Sequence, residues 1–574
     1  AAHSKNRGSR AFTPEQLLAA VTKPAATIVD APTPPSDKPA PAAAAAASSA
    51  AKTATSDAPT SAPDASTSPA EETTSTSRAP TAGPAPTSKY RTTVPEGADP
   101  QALFISFMES DSFPDAVEGF AKVCAAAGVD YGAGPSTLSS LSAKMPHFKI
   151  QRLFKLLLGR KAGVEYKGSP CAGQKVLCIG AGPAGLRCAI EAALLDAEVT
   201  LVEARASFSR NNILHLWPFG IEDLKLLGGK LVYTQLCSGG INHVGIRSLQ
   251  MLLLKLVLVC GVDVTAPAKF LELVEPEGDN GWRAKIQPRG HYAENMDFDI
   301  VILGDGVRNS IPGFPRKKVG GLKQAIGLTA NFVNKYTHAE LQVAELPGLA
   351  KHFNQALFKG LQESCGIGLE NIVYYRGETH YFVCTANKAS LLEKGVLRQD
   401  LPRDEIASRG NVDRAALHSY QRELAQYLTA LPPDTLYDFA PNAHGEPDCD
   451  LFDFTSMFHS ENSCKVLEKK GKRLQIHLVG DSLMMPFWPK GTGAAHATLS
   501  SLDAAWMMRR LALGDDVLEV IREREGLYQI LITADEHNMK KEHKRFTIDP
   551  TTRYPHCKDA KPREDSSHLY VKLD

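Results

Sequence analysis

Three glycines at a fixed spacing carry the first chemistry of this chain. Gly180, Gly182 and Gly185 stand in Val176-Leu177-Cys178-Ile179-Gly180-Ala181-Gly182-Pro183-Ala184-Gly185, and Val199-Thr200-Leu201-Val202-Glu203 follows. Gly180 permits a tight turn, Gly182 lets the backbone approach a pyrophosphate, and Gly185 lets a helix pack close to a strand. The N-terminus of that helix faces the phosphate charge. Glu203 ends the second apolar run, where an acid binds a ribose hydroxyl and disfavours a 2′-phosphate in the same site. A glycine-rich turn on its own explains only a turn. The flanking strands and the following acid make this one the fingerprint of a bound dinucleotide.

Two further stations lie far downstream. Gly304-Asp305-Gly306 ends the run Phe298 to Leu303, and Gly480-Asp481 ends the run Leu474 to Val479. Pro486-Phe487-Trp488-Pro489-Lys490-Gly491-Thr492-Gly493 follows, then a long helical stretch through Met507. Singly, each station reads as turn residues at a strand end. In this order all three point to FAD, because an extended cofactor needs widely separated segments converging on one crevice. The order resembles that of flavoprotein hydroxylases, and the resemblance implies a second strand end near the pyrophosphate, Asp481 at the ribityl chain and a helix N-terminus beside the flavin ring.

The elements that position these stations follow from periodicity. Leu103, Phe104, Phe107, Val117, Phe120 and Val123 recur at helical spacing, and a second helical stretch covers Ile150 to Leu158. From Lys175 strands alternate with helices, including strands at Gly261–Thr265 and Phe298–Leu303. Leu249 to Val264 is broken by Gln250, Lys255 and Asp263, too short to span a bilayer, and reads as a buried helix followed by a strand. Asn371–Tyr375 and His380–Cys384 flank Arg376-Gly377-Glu378, which predicts a hairpin of an antiparallel sheet. The fold class expected is α/β: a Rossmann-like, aromatic-hydroxylase-like FAD-binding domain with an antiparallel-sheet second domain and a helical N-terminal preface. The boundaries expected are an arm over 1–97, the preface over 98–168 and a monooxygenase module over 169–557. Within the module, Rossmann-like segments cover about 169–310 and 465–557 and a substrate-side antiparallel segment about 311–464. A tail over 558–574 closes the chain.

Composition sets limits on function. Residues 31–95 are dominated by Ala, Pro, Ser and Thr and cannot bury enough surface to offset ordering entropy, so the arm is read as disordered. Thr13-Pro14-Glu15-Gln16 before Leu17, Leu18 and Val21 reads as a capped short helix within it, a docking peptide or nothing. About 475 residues remain, enough for one large two-part enzyme or two to three domains. With 64 Lys+Arg against 64 Asp+Glu there is no global basic signal for nucleic acid or membrane. Eleven cysteines without CxxC spacing give neither a zinc site nor a disulfide framework and favour a reducing compartment. Lys5, Arg7 and Arg10 leave a trimmed organelle address as the alternative to a cytoplasmic, cytoskeleton-associated location.

Longer motifs resemble those of the MICAL flavin monooxygenases. They are Ser209-Arg210-Asn211-Asn212-Ile213-Leu214-His215-Leu216-Trp217-Pro218-Phe219, Thr329 to Asn334, Glu370 to Tyr375, Asp453 to Met457, Pro486 to Pro489, and Asp549-Pro550-Thr551-Thr552-Arg553-Tyr554-Pro555. The resemblance runs from about Ala102 to Pro555. It implies FAD reduced by NADPH without a separate nicotinamide domain, oxygen uptake, and hydrogen peroxide or methionine sulfoxide on a protein as product, typically on actin filaments. It places Ala184, Glu203, Arg205, Arg210, Asn211, Asn212, Phe270, Tyr381 and Asp481 on FAD. Trp488 falls beside the flavin ring, and with Asn212 and Tyr381 it makes the expected catalytic set. An aromatic beside a cofactor-binding glycine turn suits a flat ring. Asn212 can offer an amide to the flavin edge and Arg210 a charge to phosphate.

Plainer readings stand beside these. Trp488 and Trp217 also read as core aromatics, Arg205 as a solvated charge, and His215 and His380 as buried, satisfied histidines. Neither histidine is assigned catalysis, because the chemistry resides in flavin and oxygen. Gly304-Asp305-Gly306 is nearer to small-molecule aromatic hydroxylases than to animal MICAL proteins, and Lys490 stands where an apolar residue is frequent. The sequence stops soon after the closing motif, without calponin-homology or LIM domains. The alternatives are therefore a flavin hydroxylase of another protein or a small aromatic, and a silent FAD-binding subunit of a larger assembly.

Overall fold

Continuous apolar runs flanked by helical stretches resolve into a parallel sheet covered on both faces, as buried strands require. The computed structural model describes residues 92–233, 242–320, 326–432, 437–453, 456–486, 491–557 and 565–573. The arm up to residue 91, with its short helix at Thr13–Val21, lies outside the described residues.

Four helices open the described chain: α1 (Pro100–Glu109), α2 (Phe113–Ala127), α3 (Ser136–Lys144) and α4 (Phe148–Lys161). Ser112 caps α2 by accepting from Asp115 N–H, so the single run of apolar periodicity is two helices. Then come β1 (Lys175–Ile179), α5 (Pro183–Leu194), β2 (Glu198–Val202), β3 (Ile213–His215), α6 (Pro218–Leu226), β4 (His243–Gly245), α7 (Ile246–Val259) and β5 (Asp263–Thr265). The next strands are β6 (Lys269–Val274), β7 (Arg283–Gln287), β8 (Ile300–Leu303), β9 (Arg316–Gly320), β10 (Ile326–Val333) and β11 (Leu346–Ala350). After α8 (Gln355–Cys365) lie β12 (Leu369–Arg376), β13 (Thr379–Ala386), α9 (Arg414–Thr429), β14 (Cys449–Asp453), β15 (Ser456–Ser460), β16 (Cys464–Lys469) and β17 (Lys472–Leu478). Helices α10 (Gly493–Ala512) and α11 (Val517–Thr533) and strand β18 (Tyr570–Leu573) finish the chain.

The main sheet has the order β18-β16-β17-β8-β1-β2-β5. Strands β17, β8, β1, β2 and β5 are parallel, and β16 enters antiparallel to β17. Residues 570–573, placed in a tail by the sequence reading, form its edge strand against β16. The expected strand from Gly261 starts two residues later. Gly261 has φ +87°, and a Cβ there would lie 2.0 Å from Gly134 O, so it is a turn under the preface.

The second sheet is antiparallel, in the order β11-β12-β13-β10-β14. The hairpin read from residues 371–384 is β12 and β13, with Tyr375 opposite Tyr381 and Val373 opposite Val383. Period-2 alternation gives this sheet two jobs. Tyr374, Phe382, Leu328 and Phe332 pack with Leu357 and Leu361 of α8 and Leu417 and Leu424 of α9. Val373, Tyr375, Tyr381 and Val383 form a separate cluster with Ile213 of β3. That second face meets the segment holding Asn211 and Asn212.

The preface is welded to the nucleotide unit by buried charge. Arg187 of α5 donates to Asp223 of α6 through Nε at 2.7 Å and Nη2 at 2.8 Å. Glu191 Oε1 lies 2.6 Å from both Arg187 Nη1 and Arg160 Nη2, and Tyr166 Oη donates to Glu191 Oε2 at 2.6 Å.

Candidate active site

The three glycine and acid stations converge. Gly180 has φ +99°, and a Cβ there would lie 2.6 Å from Gly304 O, so the first turn touches the end of β8. A Cβ on Gly185 would lie 2.2 Å from Gly180 O, which is the close helix–strand packing read from the sequence. Gly480 has φ +60°, and its Cβ would lie 2.7 Å from Ala184 Cβ, so the end of β17 meets the first turn of α5. Ser501 Oγ on α10 donates to Ala184 O at 2.9 Å, tying α10 to the same point. Gly182 differs. Its φ is −71°, and a Cβ would meet only Gly304 O at 3.6 Å, an ordinary contact. The space that Gly182 leaves free is not needed by the protein. Helix α5 has no side-chain N-cap, so its first N–H groups remain available to an anion.

Glu203 is buried and does two things. Its Oε2 accepts from Ala181 N–H at 2.8 Å, which shapes the turn, and its Oε1 accepts from Arg205 N–H and Nε at 2.9 Å each. Burial alone would raise this carboxyl, but the hydrogen bonds and charge of Arg205 outweigh it and hold it below its usual range. Arg205 is therefore an ion-paired partner of Glu203, not an isolated solvated charge. Glu203 O also accepts from Ala268 N–H at 2.6 Å, which leads into β6 and the buried Phe270.

Asp481 is half-buried at the turn after β17. Among the described residues its carboxylate has no hydrogen-bond partner, and burial, only partly offset by Arg210 and Arg316, raises it above the usual carboxyl range. Arg316 holds this turn in place, with Nη2 donating to Asp481 O at 3.0 Å and Ser482 O at 3.2 Å. Asp305, between its glycines, accepts from Ser310 N–H and Oγ and from Ser482 Oγ, so it braces the loop. Sequence reading missed Arg316, and no local signal marks a partner so far along the chain.

The second sheet contributes a wall. Asn212 Nδ2 donates to Tyr381 Oη at 3.1 Å. Burial raises the Tyr381 hydroxyl, so it stays protonated. The Asn211 amide donates to Pro441 O at 2.9 Å and Asp448 Oδ2 at 2.8 Å, joining the β3 segment to the second sheet, so these donors are not turned to a ligand. Asp448 also accepts from Asn331 Nδ2 at 2.9 Å. Arg210 is exposed. His380 is a fully buried histidine between Tyr374 Oη at 2.8 Å and Glu340 at 3.3 Å. His215 pairs across β3 and β4 with His243 at 5.4 Å between rings, and Gly491 packs against its Cβ. Burial, then His243, holds His215 below its ordinary value, so it is neutral near neutral pH. Trp217 is a core aromatic against Phe219 and His496. Trp488 lies outside the described residues.

A family model described as the Mical Rossman domain matches residues 324–453. The protein-methionine sulfoxide oxidase mical3a of Danio rerio is 45% identical over 460 residues, which cover 79% of this chain and 23% of that protein. The chain belongs to the MICAL family. The human F-actin monooxygenase MICAL3 is 44% identical over 460 residues, again 79% and 23% of the two chains. The F-actin monooxygenase mical1 of Danio rerio is 44% identical over 468 residues, 81% of this chain and 38% of its own length. The chain thus spans a quarter to two fifths of the length of these MICAL relatives. Among solved structures, the myxobacterial FAD-dependent halogenase CndH aligns over 69% of this chain and 87% of its own, at TM-score 0.43 and 16% identity, too far to transfer residue roles.

The crevice of this MICAL chain fits FAD on its own geometry. The open face of Gly182 and the uncapped α5 would take the pyrophosphate, Glu203 a ribose, and the unmatched Asp481 carboxylate a ribityl hydroxyl. Asp481 yields a two-sided expectation. Its folded-state pKa is raised, so ionisation opposes folding, and stability falls as pH rises from the ordinary carboxyl range through the raised value. Asp481→Asn is therefore expected to stabilise the apoprotein at neutral pH while weakening FAD binding about tenfold. Thermal melts with and without FAD check both signs, and tighter FAD binding in the variant would remove Asp481 from the site.

Proposed function

We propose that this module is an NADPH-dependent FAD monooxygenase that oxidises methionine on a protein substrate, actin filaments, with hydrogen peroxide as product or side product. The observation that carries the reading is the convergence of Gly180, Gly304, Gly480 and α10 on the first turn of α5, with Asn212 and Tyr381 bonded to each other where the β3 segment meets the second sheet. The names of the relatives supply the substrate. FAD, when bound, supplies the redox chemistry between NADPH and oxygen. Overall, NADPH, a proton, oxygen and a thioether give NADP, water and a sulfoxide.

The work left to the chain is binding and exclusion. The α5 N-terminus and Glu203 anchor the cofactor. Asn212 spends an amide hydrogen on the protonated Tyr381 hydroxyl, which leaves its carbonyl oxygen as an uncharged acceptor for the flavin edge. A neutral His215 on β3, packed against Gly491 just before α10, adds no proton carrier at neutral pH. Trp488, at the flavin end by resemblance, would stack on a flat ring. Association with the cytoskeleton follows from the same substrate.

The test is NADPH consumption by the FAD-loaded protein with and without actin filaments, with mass spectrometry of actin methionines in the same samples. Filament-stimulated turnover with methionine sulfoxide that survives catalase is expected. Turnover yielding only peroxide, unchanged by filaments, would overturn the directed actin reaction, and no turnover would overturn the enzyme.

A further inference from the structure

An apolar and cationic patch lies beside the Asp481 turn, on the ribbon whose Arg316 holds that turn in place. Strands β9 and β15 pair antiparallel as a two-stranded ribbon, with Arg316 opposite Ser460 and Lys318 opposite Phe458. Met485 N–H donates to Phe458 O and Ser460 N–H to Leu483 O, so the ribbon is sewn to the segment between Asp481 and α10. Alternation along a strand puts Lys318 on the same face as Arg316. Arg316 reaches over that face to Asp481 O, Ser482 O and Val307 O. Val307, whose carbonyl Arg316 holds, is followed by Arg308 in the same turn. Val307 is 58% and Phe458 36% exposed, and Arg308 and Lys318 are exposed. Among the described residues neither cation has an ion pair.

We propose that this patch binds the 2′-phosphoadenosine end of the nicotinamide reductant, with Arg308 and Lys318 on the 2′-phosphate and Phe458 against the adenine. The inference rests on the NADPH-dependent reading above and deepens it. Three observations lead here. Glu203, buried at the ribose station and already paired with Arg205, opposes a 2′-phosphate in the first dinucleotide site. Among the described residues one parallel sheet carries the Gly180–Gly185 fingerprint, and no second such unit accompanies it for the reductant. The patch is joined by hydrogen bonds to Leu483 and Met485, directly after the Asp481 turn. A reductant with its adenosine on the ribbon would have its other end directed to the Asp481 turn, where the ribityl chain of FAD is assigned. Paired cations are suited to a phosphate dianion, and an exposed aromatic to a base.

The test uses the full FAD-loaded chain and two readouts. Calorimetric titration with 2′,5′-ADP and with 5′-AMP is expected to show a preference for 2′,5′-ADP. Arg308→Ala with Lys318→Ala should reduce that affinity at least tenfold and leave 5′-AMP unchanged. Lys318→Arg should retain it. Stopped-flow flavin reduction should show a raised KM for NADPH, an unchanged KM for NADH and an unchanged limiting rate in the double variant. Equal binding of the two nucleotides by the parent chain, or an unaltered preference in the double variant, would overturn the assignment. A parent chain that binds 2′,5′-ADP through Lys318 but is reduced by neither nucleotide would uphold the patch and overturn the monooxygenase reading alone.

Discussion

Gly182→Val is expected to give a folded, colourless protein. The three glycines of the turn differ in what they protect. A side chain on Gly185 would enter Gly180 O at 2.2 Å, and one on Gly180 would enter Gly304 O at 2.6 Å in a left-handed backbone. Both changes strike the protein itself. Gly182 has extended φ and ψ of −71° and 164°, which valine adopts readily, and its Cβ would meet only Gly304 O at 3.6 Å. The isopropyl group would instead occupy the space before the α5 N-terminus, where the pyrophosphate must approach the backbone. The expected loss is at least about 100-fold in FAD affinity, or about 2.8 kcal/mol, with the melting temperature of the apoprotein nearly unchanged. Gly185→Val is expected to fold poorly with or without FAD. Visible flavin absorbance and thermal melts of both variants decide the matter. A fully flavinated Gly182→Val protein would falsify the placement of the pyrophosphate at this turn.

The same contrast shows what the sequence carries. The spacing of Gly180, Gly182 and Gly185 encodes local geometry, and local geometry is what a short window of residues determines. The Glu203 position, the hairpin around Gly377 and the buried character of His380 were legible for that reason. Long-range partners were not. The Asn211 amide closes on Asp448, 237 residues away, and Arg316 closes on Asp481, 165 residues away. Nothing beside Asn211 distinguishes an amide that faces a ligand from one that joins two sheets. The edge strand at Tyr570–Leu573 is only 4 residues long and alternates weakly, so it carried too little periodicity to stand out from a tail. His243 was missed because its value lies in a cross-strand pair with His215, set by a register that no spacing announces.

Glu191→Ala is expected to destabilise the nucleotide unit strongly. Arg187 is 2% exposed, and Arg160 is nearly as buried. Among the described residues their counter-charges are Glu191 and Asp223, so the cluster is balanced two against two. Glu191 Oε1 lies 2.6 Å from both guanidinium groups, so it acts on them by charge and on Arg160 also by a hydrogen bond. Removing it leaves two buried cations facing one carboxylate and orphans the Tyr166 hydroxyl. Loss of one partner from a buried ion network costs about 3–5 kcal/mol, whereas exposed pairs such as Lys122–Glu118 contribute about 0–1 kcal/mol. Burial would raise the Glu191 carboxyl, but Arg160 and Arg187 outweigh it and pull it from 4.5 to about 2. A depressed carboxyl stabilises the fold fully above its ordinary value, and that stability is lost as pH falls through the folded value. The parent chain should therefore lose this contribution between about pH 4.5 and about pH 2, and Glu191→Gln should lack that part of the acid transition. Denaturant melts across that range measure both effects. A cost under about 1 kcal/mol for Glu191→Ala would mean that water compensates the two guanidinium groups. The preface would then rest on α5 by apolar packing alone, and the helix that presents Gly182 to the cofactor would owe its position to Leu153, Phe154 and Leu157 rather than to charge.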